Sequence, residues 1–184
     1  MKKILLFFAV LLISNIAVSA ISVENYQNDA VEYRYQIFIL IYDNKDYKAA
    51  LNKANEAIKK FPNVAELYVS RGDVYSNLNS YKSALANYNK AISLNPNLVE
   101  AYASRGLLKL DKMNSPHGAY IDFTTCLRLD SVNSTCRLGR SAAMLELGDM
   151  SGGLNELQAS IDDFEKERVE TEEFFRETEE LLKK

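Results

Sequence analysis

The sequence predicts an all-α fold, a solenoid of about four antiparallel helix hairpins closed by a C-terminal capping helix, and two observations carry that prediction. The first is a repeat. ELYVSRG from Glu66 returns as EAYASRG from Glu100, so Tyr68, Arg71 and Gly72 recur as Tyr102, Arg105 and Gly106 at a period of 34 residues. Self-similarity at that spacing marks stacked helical units, each burying its apolar face only against its neighbours. The second is the pattern inside one period. Tyr68, Gly72 and Tyr75 share one face of a first helix, Asn77, Asn79 and Ser80 break it as a turn, and Tyr81, Ala84, Tyr88 and Ala91 share one face of a second. Pro96 stops that helix by removing a donor and disfavouring helical geometry at Asn95. Small residues at Gly72, Ala84 and Ala91 let two backbones approach, while Tyr75 and Tyr88 fill the remaining volume.

Residues 1–20 are of a different kind. Lys2 and Lys3 precede an apolar run from Ile4 to Leu12, and the stretch ends in Ala17-Val18-Ser19-Ala20, the layout of a signal peptide cut after Ala20. Removal of those two lysines takes the formal charge from −3 to −5, and the expected product is a soluble, mildly acidic, exported chain, periplasmic or secreted. The alternative is an uncleaved leader that holds the protein at a membrane; Ser14 and Asn15 inside the apolar stretch count against it. The 164 residues that follow suffice for one repeat domain, expected over 21–167, and no Gly/Ser-rich or Pro-rich linker divides them.

The series Tyr68, Gly72, Tyr75, Ala84, Tyr88, Ala91 and Pro96 resembles the tetratricopeptide repeat (TPR), and with the leader the chain looks like an exported bacterial member of that family. The resemblance implies a right-handed superhelical solenoid with units at about 31–64, 65–98, 99–133 and 134–167, then a charged capping helix over 168–184. A shift back by 34 residues gives Phe38, Ile41, Tyr47, Ala50, Ala54, Ala57 and Pro62. A shift forward gives Tyr102 and Gly106, then Ala119, Phe123 and Cys126 one residue late. The turn from Met113 to Gly118 therefore carries an insertion, and Ser131 stands where the family has Pro. The fourth unit is degenerate, with Ser141, Met144, Gly148, Met150, Gly153 and Leu157 in the corresponding places and no Pro stop.

What the resemblance implies for function is a non-enzymatic module that takes a protein or peptide partner in a groove lined by the first helix of each hairpin. By register the groove positions are Tyr35, Ile39 and Tyr42 in the first unit, Val69, Asp73 and Asn77 in the second, and Leu107 and Leu110 in the third. A surface of aromatic, carboxylate and aliphatic groups suits an extended or helical peptide with apolar anchors. Two alternatives stay open: Tyr35, Ile39 and Tyr42 pack on Val23 to Ala30, or Leu107 and Leu110 belong to the core. Family members that clamp a free carboxylate place Lys, Arg and Asn on this side. Here Tyr35, Ile39, Ser70, Glu100 and Ser104 stand there, with no cationic clamp. Arg71, Arg105 and Arg140 each precede a small packing residue and read as struts between helices, with Asn87 and Asp122 as partners. Family analogy places the partner in cell-envelope assembly or secretion. The other readings are a self-associating structural protein of the envelope and an accessory subunit of an envelope enzyme.

Cys126 and Cys136 fall at the end of one predicted helix and the start of the next, at a similar height in an antiparallel pair. A structural disulfide fits, and so does an unbonded Cys126 that replaces the core Ala of its repeat. Catalytic chemistry is not visible. His117 is the only histidine and lies in the inserted turn, Gly152-Gly153 lacks the Lys-Ser/Thr of a phosphate loop, and no nucleophile elbow occurs. No cofactor or metal is expected. Basic residues are scattered rather than clustered, against a nucleic-acid partner. From Ser160 onward Glu predominates, with Ile161, Phe164, Phe174, Phe175, Leu181 and Leu182 as a sparse apolar stripe. That segment either caps the last hairpin or mediates homo-oligomer contacts through Phe174 and Phe175.

Overall fold

The structure is a computed structural model that describes residues 29–182, and every element among them is a helix. Side chains at 163, 164, 167, 170 and 173–182 lie outside that description, as do the leader expected over 1–20 and the Phe174–Phe175 pair. In order the helices are α1 (29–42), α2 (Tyr47–Lys60), α3 (Ala65–Asn77), α4 (Tyr81–Leu94), α5 (Val99–Asp111), α6 (Pro116–Leu129), α7 (Ser134–Glu146) and α8 (Met150–Leu182). They pair in sequence as four hairpins, and the chain divides after Pro96 into two compact units of two hairpins each. The charged segment 168–184 is not a separate helix. It continues α8, which meets no Gly or Pro after Gly153 to interrupt its hydrogen-bond ladder.

Each hairpin turns through one residue of positive φ, two positions before its second helix starts: Lys45 (54°), Asn79 (56°), Asn114 (48°) and Gly148 (89°). Asn and Gly adopt this left-handed conformation at low cost, whereas the Cβ of Lys45 crowds the following carbonyl. Two turns hold three residues, 78–80 and 147–149, and two hold four, 43–46 and 112–115. The longer third turn matches the insertion seen in the sequence. The equally long first turn was not expected, and it corrects the register of α1 by one residue. Ile37, not Phe38, faces inward. Ile37 and Ile41 pack with Ala50, Ala54 and Val74, while Phe38 is 53% exposed. Asp46 caps α2 by accepting from Ala49 N at 2.9 Å.

In the first unit the Tyr88 ring lies on Gly72. A Cβ there would stand 2.4 Å from Tyr88 Cε1, closer than any side chain tolerates. In the second unit Phe123, fully buried, is flanked by two glycines. A Cβ on Gly106 would meet its ring at 2.7 Å and one on Gly139 at 2.4 Å. Around Phe123 gather Leu110, Ala119, Cys126, Leu127, Cys136 and Ala143. Cys126 and Cys136 are bonded, with Cα atoms 6.2 Å apart, and both are fully buried in that core. The bond thus tethers α6 to α7 at the same place where the repeat normally packs a small residue. Closing so short a loop removes chain entropy worth about 3 kcal/mol from the unfolded state.

The strained turn supplies a direct test. Lys45→Asn gives the first hairpin the residue that the second and third already use. It should raise unfolding stability by about 0.5–1 kcal/mol, seen as a higher denaturant midpoint at unchanged slope. A lower midpoint would show that Lys45 carries no strain.

Candidate peptide-binding site

The structure separates the residues that the sequence grouped as a groove. On α1, Tyr35 is 60% exposed and Tyr42 is 53% exposed, with Ile39 half-buried beside them. Phe38, expected in the core, joins them. Its ring centroid lies 4.6 Å from that of Tyr42, and with the exposed Val31 the four residues form one stripe at spacings of four, three and four. That spacing was the signal available in the sequence, but it was overruled by a strict 34-residue shift that ignored the extra turn residue. Leu107 on α5 and Leu138 on α7 are exposed in the second unit.

Two expected contact residues are corrected by burial. Val69 is fully buried and Leu110 is 8% exposed. Leu110 points into the Phe123 cluster, so it is core, the alternative that the sequence left open for it. Asp73 is engaged within its own hairpin: it accepts from Tyr88 Oη at 2.7 Å, and its carbonyl accepts from Asn77 Nδ2 at 2.9 Å. These contacts leave Asp73 half-buried and Asn77 exposed at the end of α3.

α1 is held in place by a polar cluster on its other side. Tyr33 Oη donates to Glu56 Oε1 at 2.5 Å, Lys53 Nζ lies 3.1 Å from Glu56, and Lys60 Nζ lies 2.9 Å from Asp29. The Tyr33 hydrogen bond, joined by Lys53, holds the Glu56 carboxyl below its ordinary range. The same bond raises the Tyr33 phenol, and Asp29 raises Lys60. Glu56 ionises more readily in the folded chain, so this contact favours the fold above the ordinary carboxylate range and fades as pH falls through the folded value.

The arginine struts link first and second helices, with the expected partners in the second and third hairpins. Arg71 Nε donates to Asn87 Oδ1 at 2.8 Å, and Arg105 Nε and Nη2 donate to Asp122 at 2.9 and 2.7 Å. Arg140 pairs with Glu156. Each strut also crosses an aromatic face where one is present: Arg71 lies 5.5 Å from the Tyr68 centroid and Arg105 5.6 Å from that of Tyr102. Asp122 is buried and takes a second cation, Lys109, at 2.8 Å. These groups are consumed by the scaffold, which leaves the apolar stripe as the surface able to bind. Among the described residues no group of His, Cys, Asp and Glu could hold a metal ion, and no helix is long and apolar enough to cross a membrane.

Asp122→Ala should destabilise the protein by about 2–3 kcal/mol. That is below the ~3–5 kcal/mol of a fully buried pair, because Arg105 and Lys109 keep some access to water. Asp122→Asn should cost less, since Asn87 makes the same strut one hairpin earlier. Chemical denaturation would check both, and equal losses would show that the Lys109 contact contributes nothing.

A family model described as TPR repeat matches residues 72–112. No curated protein matches the chain's sequence. Solved structures with the same fold include MamA, 16% identical with a TM-score of 0.67 over 78% of this chain and 82% of that one. The first TPR of Spaghetti (RPAP3), bound to an HSP90 peptide, is 20% identical with a TM-score of 0.59 over 65% of this chain and 93% of that one. A tetratricopeptide repeat protein from Parabacteroides merdae is 21% identical with a TM-score of 0.63 over 76% and 54%. With four hairpins, a 34-residue period and the repeat's signature at its centre, the chain folds as a tetratricopeptide-repeat solenoid.

Proposed function

We infer that this protein is a non-enzymatic interaction module that binds a peptide or protein partner through the exposed face of α1, with Val31, Tyr35, Phe38 and Tyr42 as anchors. The observation that carries the reading is that aromatic stripe. Three rings stand on one helix face, more than half exposed, on a hairpin whose polar groups are already engaged elsewhere. Aromatic side chains supply large contact area at low entropic cost, and a contiguous apolar patch of this kind is a recognition surface. The same fold occurs in a peptide complex, the RPAP3 domain with its HSP90 peptide, which supports peptide capture as a use of the architecture. The cationic residues of a carboxylate clamp are not matched in this sequence, so the anchors read apolar side chains of the partner rather than its terminus.

An exported location, periplasmic or secreted, with a role in envelope assembly or secretion, is the fuller form of this proposal. Its support is the leader-like segment ending at Ala20 and the Cys126–Cys136 bond, which persists in oxidising compartments.

Affinity capture from crosslinked cells with the full chain, beside a Tyr35→Ala/Phe38→Ala/Tyr42→Ala variant, tests the reading. Alanine at exposed helical positions preserves helicity, which circular dichroism would verify. The expected result is a partner recovered by the parent and reduced at least about tenfold with the variant. Equal recovery with both versions, or recovery of the chain itself alone, would overturn it; the second outcome would favour self-association.

A further inference from the structure

Between α6 and α7, wholly within the second unit, lies a pocket of about 510 Å³ lined by Thr124, Leu127, Arg128, Ser131, Arg137 and Arg140. Three guanidiniums converge there in a chain whose net charge is −3. The repeat explains how it arises. Arg137 occupies the place that Tyr68 and Tyr102 hold in earlier hairpins, and Ser131 occupies that of Pro62 and Pro96. In the first unit Tyr68 spans this corner, its Oη donating to the Pro62 carbonyl at 2.9 Å, with Arg71 on its ring. In the second unit Arg137 Nη2 donates to the equivalent Ser131 carbonyl at 3.1 Å, so the backbone contact survives while the ring is gone. The loss of the ring opens volume, and the cation–π pair of the earlier hairpins becomes two arginines one helical turn apart.

Two like charges at that spacing repel unless an anion joins them. Glu156 takes Nε and Nη2 of Arg140, and the carboxylate of Asp130 is turned to Val132 N and Asn133 Nδ2. Thr124 Oγ1, in the pocket lining, is buried without a hydrogen-bond partner among the described residues, the kind of orphan donor that a bound acceptor satisfies. We propose that this pocket binds a phosphate group, held by Arg128, Arg137 and Arg140 with the hydroxyls of Thr124 and Ser131. Three planar guanidiniums and two hydroxyls offer more donors than the two oxygens of one carboxylate can accept, whereas the terminal oxygens of a phosphate can engage them together. The site is independent of the α1 stripe.

Calorimetric titration of the full chain with inorganic phosphate, at constant ionic strength, should show saturable binding that acetate does not reproduce. The decisive variant is Arg137→Tyr, which restores the residue of the earlier hairpins and should fold with a Tm at or above that of the parent. It should weaken phosphate binding by at least about tenfold, and Arg128→Gln should weaken it too. A parallel titration with O-phosphoserine distinguishes the sources: tighter binding than inorganic phosphate identifies a phosphomonoester ligand, and weaker binding identifies the free anion. Absence of saturable phosphate binding, equal binding of acetate, or an Arg137→Tyr protein that binds phosphate as the parent does would overturn the proposal.

Discussion

The packing of aromatic rings directly on helix backbone is the constraint from which the rest of this structure follows. Phe123 is clasped between Gly106 of α5 and Gly139 of α7, and no side chain could replace either hydrogen without displacing the ring. Tyr88 on Gly72 repeats the arrangement in the first unit. A ring seated this way fixes the separation and the rotation of the helices that share it. Everything farther out on those helices, including which residues reach the surface, is set by that registration.

The polar groups of the interior follow from the same closeness. Helices brought together over glycine leave room beside the ring for one long side chain, and the strut arginines fill it. Each crosses from a first helix to an acceptor on the next: Asn87, then Asp122, then Glu156. The acceptor changes along the chain while the arginine does not, and the charge balance changes with it. Asn87 adds none, Asp122 carries two cations and Glu156 one. Buried charges of this kind add little net stability but penalise misregistered helices, which would leave them unpaired. The surfaces left over can then be apolar, as on α1, or basic, as between α6 and α7, without compromising the fold.

Much of this was legible in the residues. The 34-residue period fixed the hairpins, the small positions located the close approaches, and the near-repeat of arginine pointed to Asn87 and Asp122. What failed was the assumption that the period is constant. The first turn carries a four-residue loop with Lys45 in a left-handed conformation, and nothing about Lys announces that geometry as Asn79 does. The resulting slip exchanged Phe38 for Ile37 in the core and hid the aromatic stripe. Val69 and Leu110 were misplaced for a different reason. Register gives the face of a helix but not the depth of burial, which depends on what neighbouring elements cover. The pocket of α6 and α7 was written in the substitutions Arg137 for Tyr and Ser131 for Pro, whose joint effect shows only when the helices are placed side by side.

The central claim is that ring-on-glycine contact sets the packing, and a double-mutant cycle between Gly139 and Phe123 tests it most directly. Unfolding free energies would be measured for the parent, Gly139→Ala, Phe123→Leu and the double variant. Gly139→Ala in the parent should cost about 1–3 kcal/mol by forcing the ring aside, and most of that cost should vanish once leucine has vacated the ring's far edge. Additive effects, or a Gly139→Ala protein as stable as the parent, would contradict the account.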